Sequence, residues 1–116
     1  MPKPADYRSK TEVPPGSLEM LILKTLARCG PLYGYGIAKY IKAWSENVLQ
    51  IEEGSLYPAL QRMLIKGWVT GEWGQTDRNR RARFYRLTPA GRKQLAAEIS
   101  EFNRVIGAIA RVIEPA

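Results

Sequence analysis

The sequence predicts a mainly α chain with one small β-hairpin: three helices, the hairpin, then a long C-terminal helix. Three observations predict it. Apolar residues recur at three- and four-residue spacing between Ser17 and Gly67. Two runs rich in aromatic and β-branched residues, "WVTGEW" and "RFYRLT", flank the polar, turn-prone "GQTDRNRRA". From Pro89 to Ile113 a helical apolar pattern returns and runs uninterrupted.

Each element follows from local chemistry. Residues 1–16 hold prolines at 2, 4, 14 and 15 and little periodic apolar pattern, which predicts a flexible N-terminal arm whose Lys3, Arg8 and Lys10 are placed to touch phosphates. In the first helix Leu18, Leu21, Ile22, Leu26 and Cys29 share a stripe, with Ser17 as cap and Glu19 near the positive end of the dipole; Gly30-Pro31 ends it. The second helix starts near Tyr35, with Ile37, Tyr40, Ile41 and Trp44 on one face.

The third helix spans residues 55–67, "SLYPALQRMLIKG". A proline inside a helix costs about 3 kcal/mol, but with Ser55 or Gly54 as cap, Pro58 falls in the first turn, where backbone N–H groups have no intrahelical partner anyway. Placed at 100° steps, Leu56, Ala59, Leu60, Met63 and Leu64 face inward, and Pro58, Gln61, Arg62 and Ile65 outward, with Tyr57 and Lys66 at the margins. Thr88 caps the last helix and Pro89 takes its first position, the place that suits proline. Leu95, Ile99, Phe102, Ile106, Ile109 and Ile113 are spaced as a coiled-coil seam, on a helix of about 37 Å. Its first two turns can pack on the chain's own core; the remainder predicts dimerisation with a second copy.

Composition narrows the function. A chain of 116 residues makes one domain: a core unit over 17–88 after the arm, and a dimerisation helix over 89–116. No apolar run approaches the roughly 20 residues of a membrane span, and "MPKPADYRSKTEVPPG" lacks a signal-peptide core, so a cytoplasmic protein with no membrane partner is expected. With one cysteine and no histidine, neither a disulfide, a metal site nor a cofactor is expected, and Cys29 reads as core packing. No catalytic residue is assigned and the chain is not read as an enzyme: it has no phosphate-cradling glycine loop, and Glu52-Glu53 reads as favourable charge before a helix N-terminus.

Charge supplies a partner. Residues 78–93 hold seven basic residues and no acid, whereas the rest of the chain balances eleven against eleven, so the net charge of +7 sits in one segment. Such segregation is the footprint of a polyanion binder. Three helices followed by a hairpin form a winged helix-turn-helix, which presents the outer side of one helix to the major groove of double-stranded DNA. Gln61 and Arg62 have the donor and acceptor groups to read base edges; Ser55, Tyr57 and Lys66 suit phosphates, as does the helix N-terminus. Arg78, Arg80, Arg81 and Arg83 surround the tip of a basic wing over 74–83, suited to the backbone or minor groove. Two alternatives remain open: an RNA- or ribosome-associated basic winged helix, and a winged helix that binds an acidic protein.

"LYGYGI", "GSLYPALQRMLIKGWV" and "RFYRLTPAG", in this order and spacing, resemble the PadR family of winged-helix transcriptional regulators over about Gly16 to Leu95. The resemblance implies a homodimeric repressor joined largely through the C-terminal helix, on a pseudo-palindromic operator. It places Tyr35, Ser55, Tyr57 and Pro58 in the family's DNA-binding motifs. A chain with a single C-terminal helix resembles the short branch. The sequence departs from the family pattern at Tyr33 and Gly36, where histidine and an acidic residue are frequent, and neither is assigned a DNA contact. Some relatives respond to aromatic or drug-like effectors near the dimer interface; here Phe102 is the one aromatic that the terminal helix offers such a molecule.

Overall fold

The computed structural model describes residues 11–14 and 16–115. The elements run β1 (Thr11–Glu12), α1 (Leu18–Cys29), β2 (Leu32–Tyr33), α2 (Gly34–Trp44), β3 (Leu49–Gln50), α3 (Glu53–Ile65), β4 (Val69–Gln75), β5 (Arg81–Leu87) and α4 (Pro89–Ile113). The predicted four helices and hairpin are all present. Three short strands escape the sequence pattern. β2 adds to the hairpin edge to make an antiparallel sheet in the order β2-β5-β4, with Leu32 opposite Tyr85 and Tyr33 opposite Phe84. β1 pairs in parallel with β3, Thr11 opposite Leu49 and Glu12 opposite Gln50.

The end of the expected arm is therefore tied down: besides that ladder, the Val13 N–H donates to the Gln50 carbonyl at 3.3 Å and the Ser17 N–H to Pro14 at 3.1 Å. Lys3, Arg8 and Lys10 lie outside the described residues. Ser17 stands at the α1 N-cap without a side-chain capping bond; its carbonyl accepts from Leu21.

The core lies where α1, α2 and α3 meet beneath the sheet. Ile22, Leu23, Ile37, Ala59, Leu60 and Met63 are wholly buried there, with Leu26, Ile41, Leu56, Val69, Tyr85 and Leu95 around them. α1 sits centrally and is buried more widely than its predicted stripe, taking in Met20, Leu23 and Thr25; the Thr25 hydroxyl is satisfied by donating to the Leu21 carbonyl at 2.7 Å. Cys29, expected in the core, is only partly buried at the end of α1. Tyr40 and Trp44, also expected inward, lie at the rim as a tilted pair at 5.2 Å, with the Arg28 guanidinium 3.8 Å above the Trp44 ring.

The junction from α3 through the hairpin to α4 fixes the hairpin on the helices. Gly67, at φ 76°, closes α3, and the Trp68 N–H returns to the Met63 carbonyl at 3.0 Å. Thr88 then bonds three ways: its hydroxyl is shared between the carbonyls of Gly67 (2.7 Å) and Trp68 (3.0 Å) and accepts the Gly91 N–H at 3.0 Å. The predicted Thr88 cap is thus also the clamp between the end of α3 and the start of α4.

α4 packs on the domain through its first three turns, to Ile99, and then leaves it. Leu95 is buried and Ile99 packs on the core, as expected of the first part of the seam. Beyond them Phe102, Val105, Ile106, Ile109, Val112 and Ile113 are all exposed, the last two by 83% and 75%. The stripe is wider than the predicted heptad seam, because Val105 and Val112 flank it.

Candidate nucleic-acid interface

α3 begins two residues earlier than expected, with Glu52 as its N-cap, so Pro58 is the sixth residue of the helix and not part of its first turn. Neither Gly54 nor Ser55 caps it: both lie inside, and the Glu52 carbonyl accepts from the Ser55 and Leu56 N–H groups at 3.0 and 2.9 Å. Pro58 consequently removes the bond that the Gly54 carbonyl would have accepted. The loss falls on an exposed side, Gly54 and Pro58 both being exposed, and burial of Leu56, Ala59, Leu60 and Met63 offsets it.

The inward and outward faces of α3 follow the predicted wheel. Ser55, Tyr57, Pro58, Gln61, Arg62, Ile65 and Lys66 are all exposed. Arg62 reaches sideways, its Nε donating to Glu19 Oε2 at 3.2 Å. Lys66, at the C-cap, extends over the Trp68 ring at 4.6 Å. Glu52 and Glu53 make the N-terminus of α3 acidic, so the helix-terminal amides expected to attract a phosphate are screened by like charge. Basic and hydroxyl groups further along the helix and on the wing remain to meet one.

The Tyr57 ring crosses Gly34 at the start of α2. A Cβ at Gly34 would sit 2.7 Å from the Tyr57 hydroxyl and 2.8 Å from Cε1, so the close approach requires glycine there. Partial burial, followed by the charge of Glu53 and the neighbouring Tyr85, raises the Tyr57 pKa above its ordinary 10.0. The phenol thus stays protonated and able to donate. Tyr35, in the first turn of α2, is exposed and stacks on Tyr33 at 6.1 Å, and Tyr33 packs on Phe84 of β5 at 5.4 Å.

The wing turn is organised by Thr76. Its hydroxyl accepts the N–H groups of Arg78 and Arg80, both at 3.2 Å, while its N–H donates to the Arg80 carbonyl at 2.8 Å. Asn79 takes the left-handed conformation, φ 63°, that the turn demands. Strands reach closer to the tip than predicted, to Gln75 and from Arg81. The four wing arginines therefore differ in setting. Arg78 and Arg80 project from the turn. Arg81 lies over the exposed Trp73 ring at 4.5 Å. Arg83 is partly buried and lies across Gly71, its Nε enclosed and without a hydrogen-bond partner among the described residues.

The contacts of Glu19 with Arg62, Gly34 with Tyr57, Trp73 with Arg81 and Thr76 with the wing turn were not among the sequence expectations, because each depends on a neighbour distant in sequence or on a turn hydroxyl. Only Trp73 leaves a signal: an aromatic alternating with arginines across a hairpin. Among the described residues no cluster of His, Cys, Asp or Glu could hold a metal ion, and no helix is long and apolar enough to cross a membrane.

Residues 22–97 match the transcriptional regulator PadR-like family. The chain belongs to that family. Solved structures agree. A transcriptional regulator from Clostridium thermocellum superposes with a TM-score of 0.78 at 28% identity, over 85% of this chain and 95% of that one. A PadR family transcriptional regulator from Eggerthella lenta gives 0.71 at 26% identity, over 87% and 85%. An uncharacterised 37.1 kDa protein of transposon TN4556 from Streptomyces fradiae is 39% identical over 84% of this chain, which spans 26% of that protein's length. The chain is thus a PadR-like transcriptional regulator with a winged-helix fold, in a family of DNA-binding regulators and not of enzymes.

Proposed function

We propose that this PadR-like chain is a sequence-specific repressor that binds double-stranded DNA as a homodimer. α3 enters the major groove, where Gln61 and Arg62 read base edges and Tyr57 and Lys66 hold phosphates. The wing, through Arg78 and Arg80, grips the backbone or minor groove. The exposed end of α4 pairs with a second copy, so that two α3 helices meet successive major grooves about 34 Å apart on a pseudo-palindromic operator.

One observation carries most of the support: the outer face of α3 is exposed along its length and polar at Gln61, Arg62 and Lys66, on the same small domain as a wing with two exposed arginines at its tip that have no ion-pair partner among the described residues. An enzyme cleft needs convergence of reactive groups; a groove reader needs a convex, donor-rich face. Selection of bound fragments from the source genome tests the proposal. It should return duplexes sharing a two-fold-related motif. Fragments with no common motif, or preference for RNA or for acidic polypeptides in competition, would refute it.

A further inference from the structure

Arg62 is the one outward residue of α3 with a charged partner on another helix among the described residues. Its Nε meets Glu19 Oε2 at 3.2 Å, the arginine side chain 55% exposed and the glutamate 24%. As a surface ion pair it contributes little to stability. Its geometry is more informative. The carboxylate takes the side of the guanidinium and leaves both terminal Nη groups without a partner among the described residues. A fork of two parallel donors is the group that binds the O6 and N7 acceptors of guanine bidentately.

Two opposed effects follow from a carboxylate in this place. Its charge repels every duplex alike. Its grip on Nε orders a long side chain that otherwise loses rotamer freedom on binding, and that gain is realised only where the fork finds a matching base. Glu19 comes from α1, whose neighbours Met20, Ile22 and Leu23 are buried, so the anchor is set on a rigid element.

We propose that Glu19 is a positioning residue for base readout: it holds Arg62 with its donor fork directed outward, exchanging some overall affinity for discrimination at one base position. The proposal rests on α3 being the DNA-reading helix. Glu19→Ala and Glu19→Gln separate the two effects, because glutamine loses the charge but keeps an acceptor for Nε. With the full chain, an operator duplex and its single-base variants, Arg62→Ala should abolish preference at one position. Glu19→Ala should reduce preference at that same position by about 2- to 12-fold. Glu19→Gln should retain most of it while tightening every duplex by a common factor, and Glu19→Ala should change nothing further in the Arg62→Ala background. If Arg62→Ala abolishes preference and Glu19→Ala leaves it intact, positioning by Glu19 is refuted and DNA reading by α3 stands. If Arg62→Ala leaves every base preference unchanged, the assignment of Arg62 fails first and the role of Glu19 falls with it.

Discussion

At Gly91 a single hydrogen decides how α4 meets the rest of the chain. A Cβ there would run into the Trp68 carbonyl and come within 2.7 Å of Leu87 Cδ1. The obstacle is backbone held by Thr88, so it cannot swing aside. Gly91→Ala should therefore destabilise the fold by about 1–3 kcal/mol or more, visible as a lower denaturant midpoint. Gly34→Ala should behave differently, since the obstructing atoms belong to the far end of the half-exposed Tyr57 ring. We predict little loss of stability and weakened DNA binding; equal denaturant midpoints with unchanged affinity would remove Tyr57 from the interface.

The tyrosines also set an alkaline limit. Burial raises the pKa of Tyr85, with Arg83 opposing, and that of Tyr57. For each, the unfolded chain loses its phenolic proton first as pH rises, so the stabilisation is complete below the ordinary tyrosine value of 10.0 and is lost above it. Stability should be level through neutral pH and fall only beyond about pH 10, and Tyr85→Phe should flatten that fall. Loss of stability between neutrality and the tyrosine range would point to another group.

At the scale of elements, what the sequence disclosed depended on whether the cause was local. The cap at Thr88, the stop at Gly30-Pro31 and the two faces of α3 all arise within a few residues and were legible as spacing and residue type. The start of α3 was not. Serine and proline together suggested a cap at Ser55 or Gly54, whereas the N-cap is Glu52, two residues after the β1–β3 pairing. β1, β2 and β3 are two residues long and have no period to read. Glu19 looked like a helix-dipole charge because its partner lies 43 residues away.

The wing illustrates a further limit: composition located the arginines but not their settings. Because Arg78 and Arg80 leave the turn while Arg83 lies across Gly71, replacing Arg78 and Arg80 by alanine should weaken binding to all duplexes and reduce the salt slope by about 1 for each phosphate no longer neutralised. Arg83→Ala should act mainly on folding stability. A change in salt slope from Arg83→Ala as large as from Arg80→Ala would reverse that ordering.

The whole molecule is elongated. Its radius of gyration is 16.0 Å, against about 13 Å for a compact chain of this length. Beyond Ile99, α4 carries an exposed apolar stripe from Phe102 to Ile113. A contiguous exposed stripe of this kind marks an interaction surface, and the proposed dimer would cover it with the same stripe of a second copy. Ile106→Glu or Ile109→Glu should leave the winged-helix core folded and yield a monomer with much weaker operator binding, as checked by sedimentation. Dimers that persist in both variants would place the contact elsewhere.

The mass of the complex between the intact chain and its selected operator tests the central claim most directly. Two protomers per duplex are expected, on a site whose related halves lie one DNA turn apart. One protomer per duplex, or no complex with duplex DNA at low salt, would contradict it.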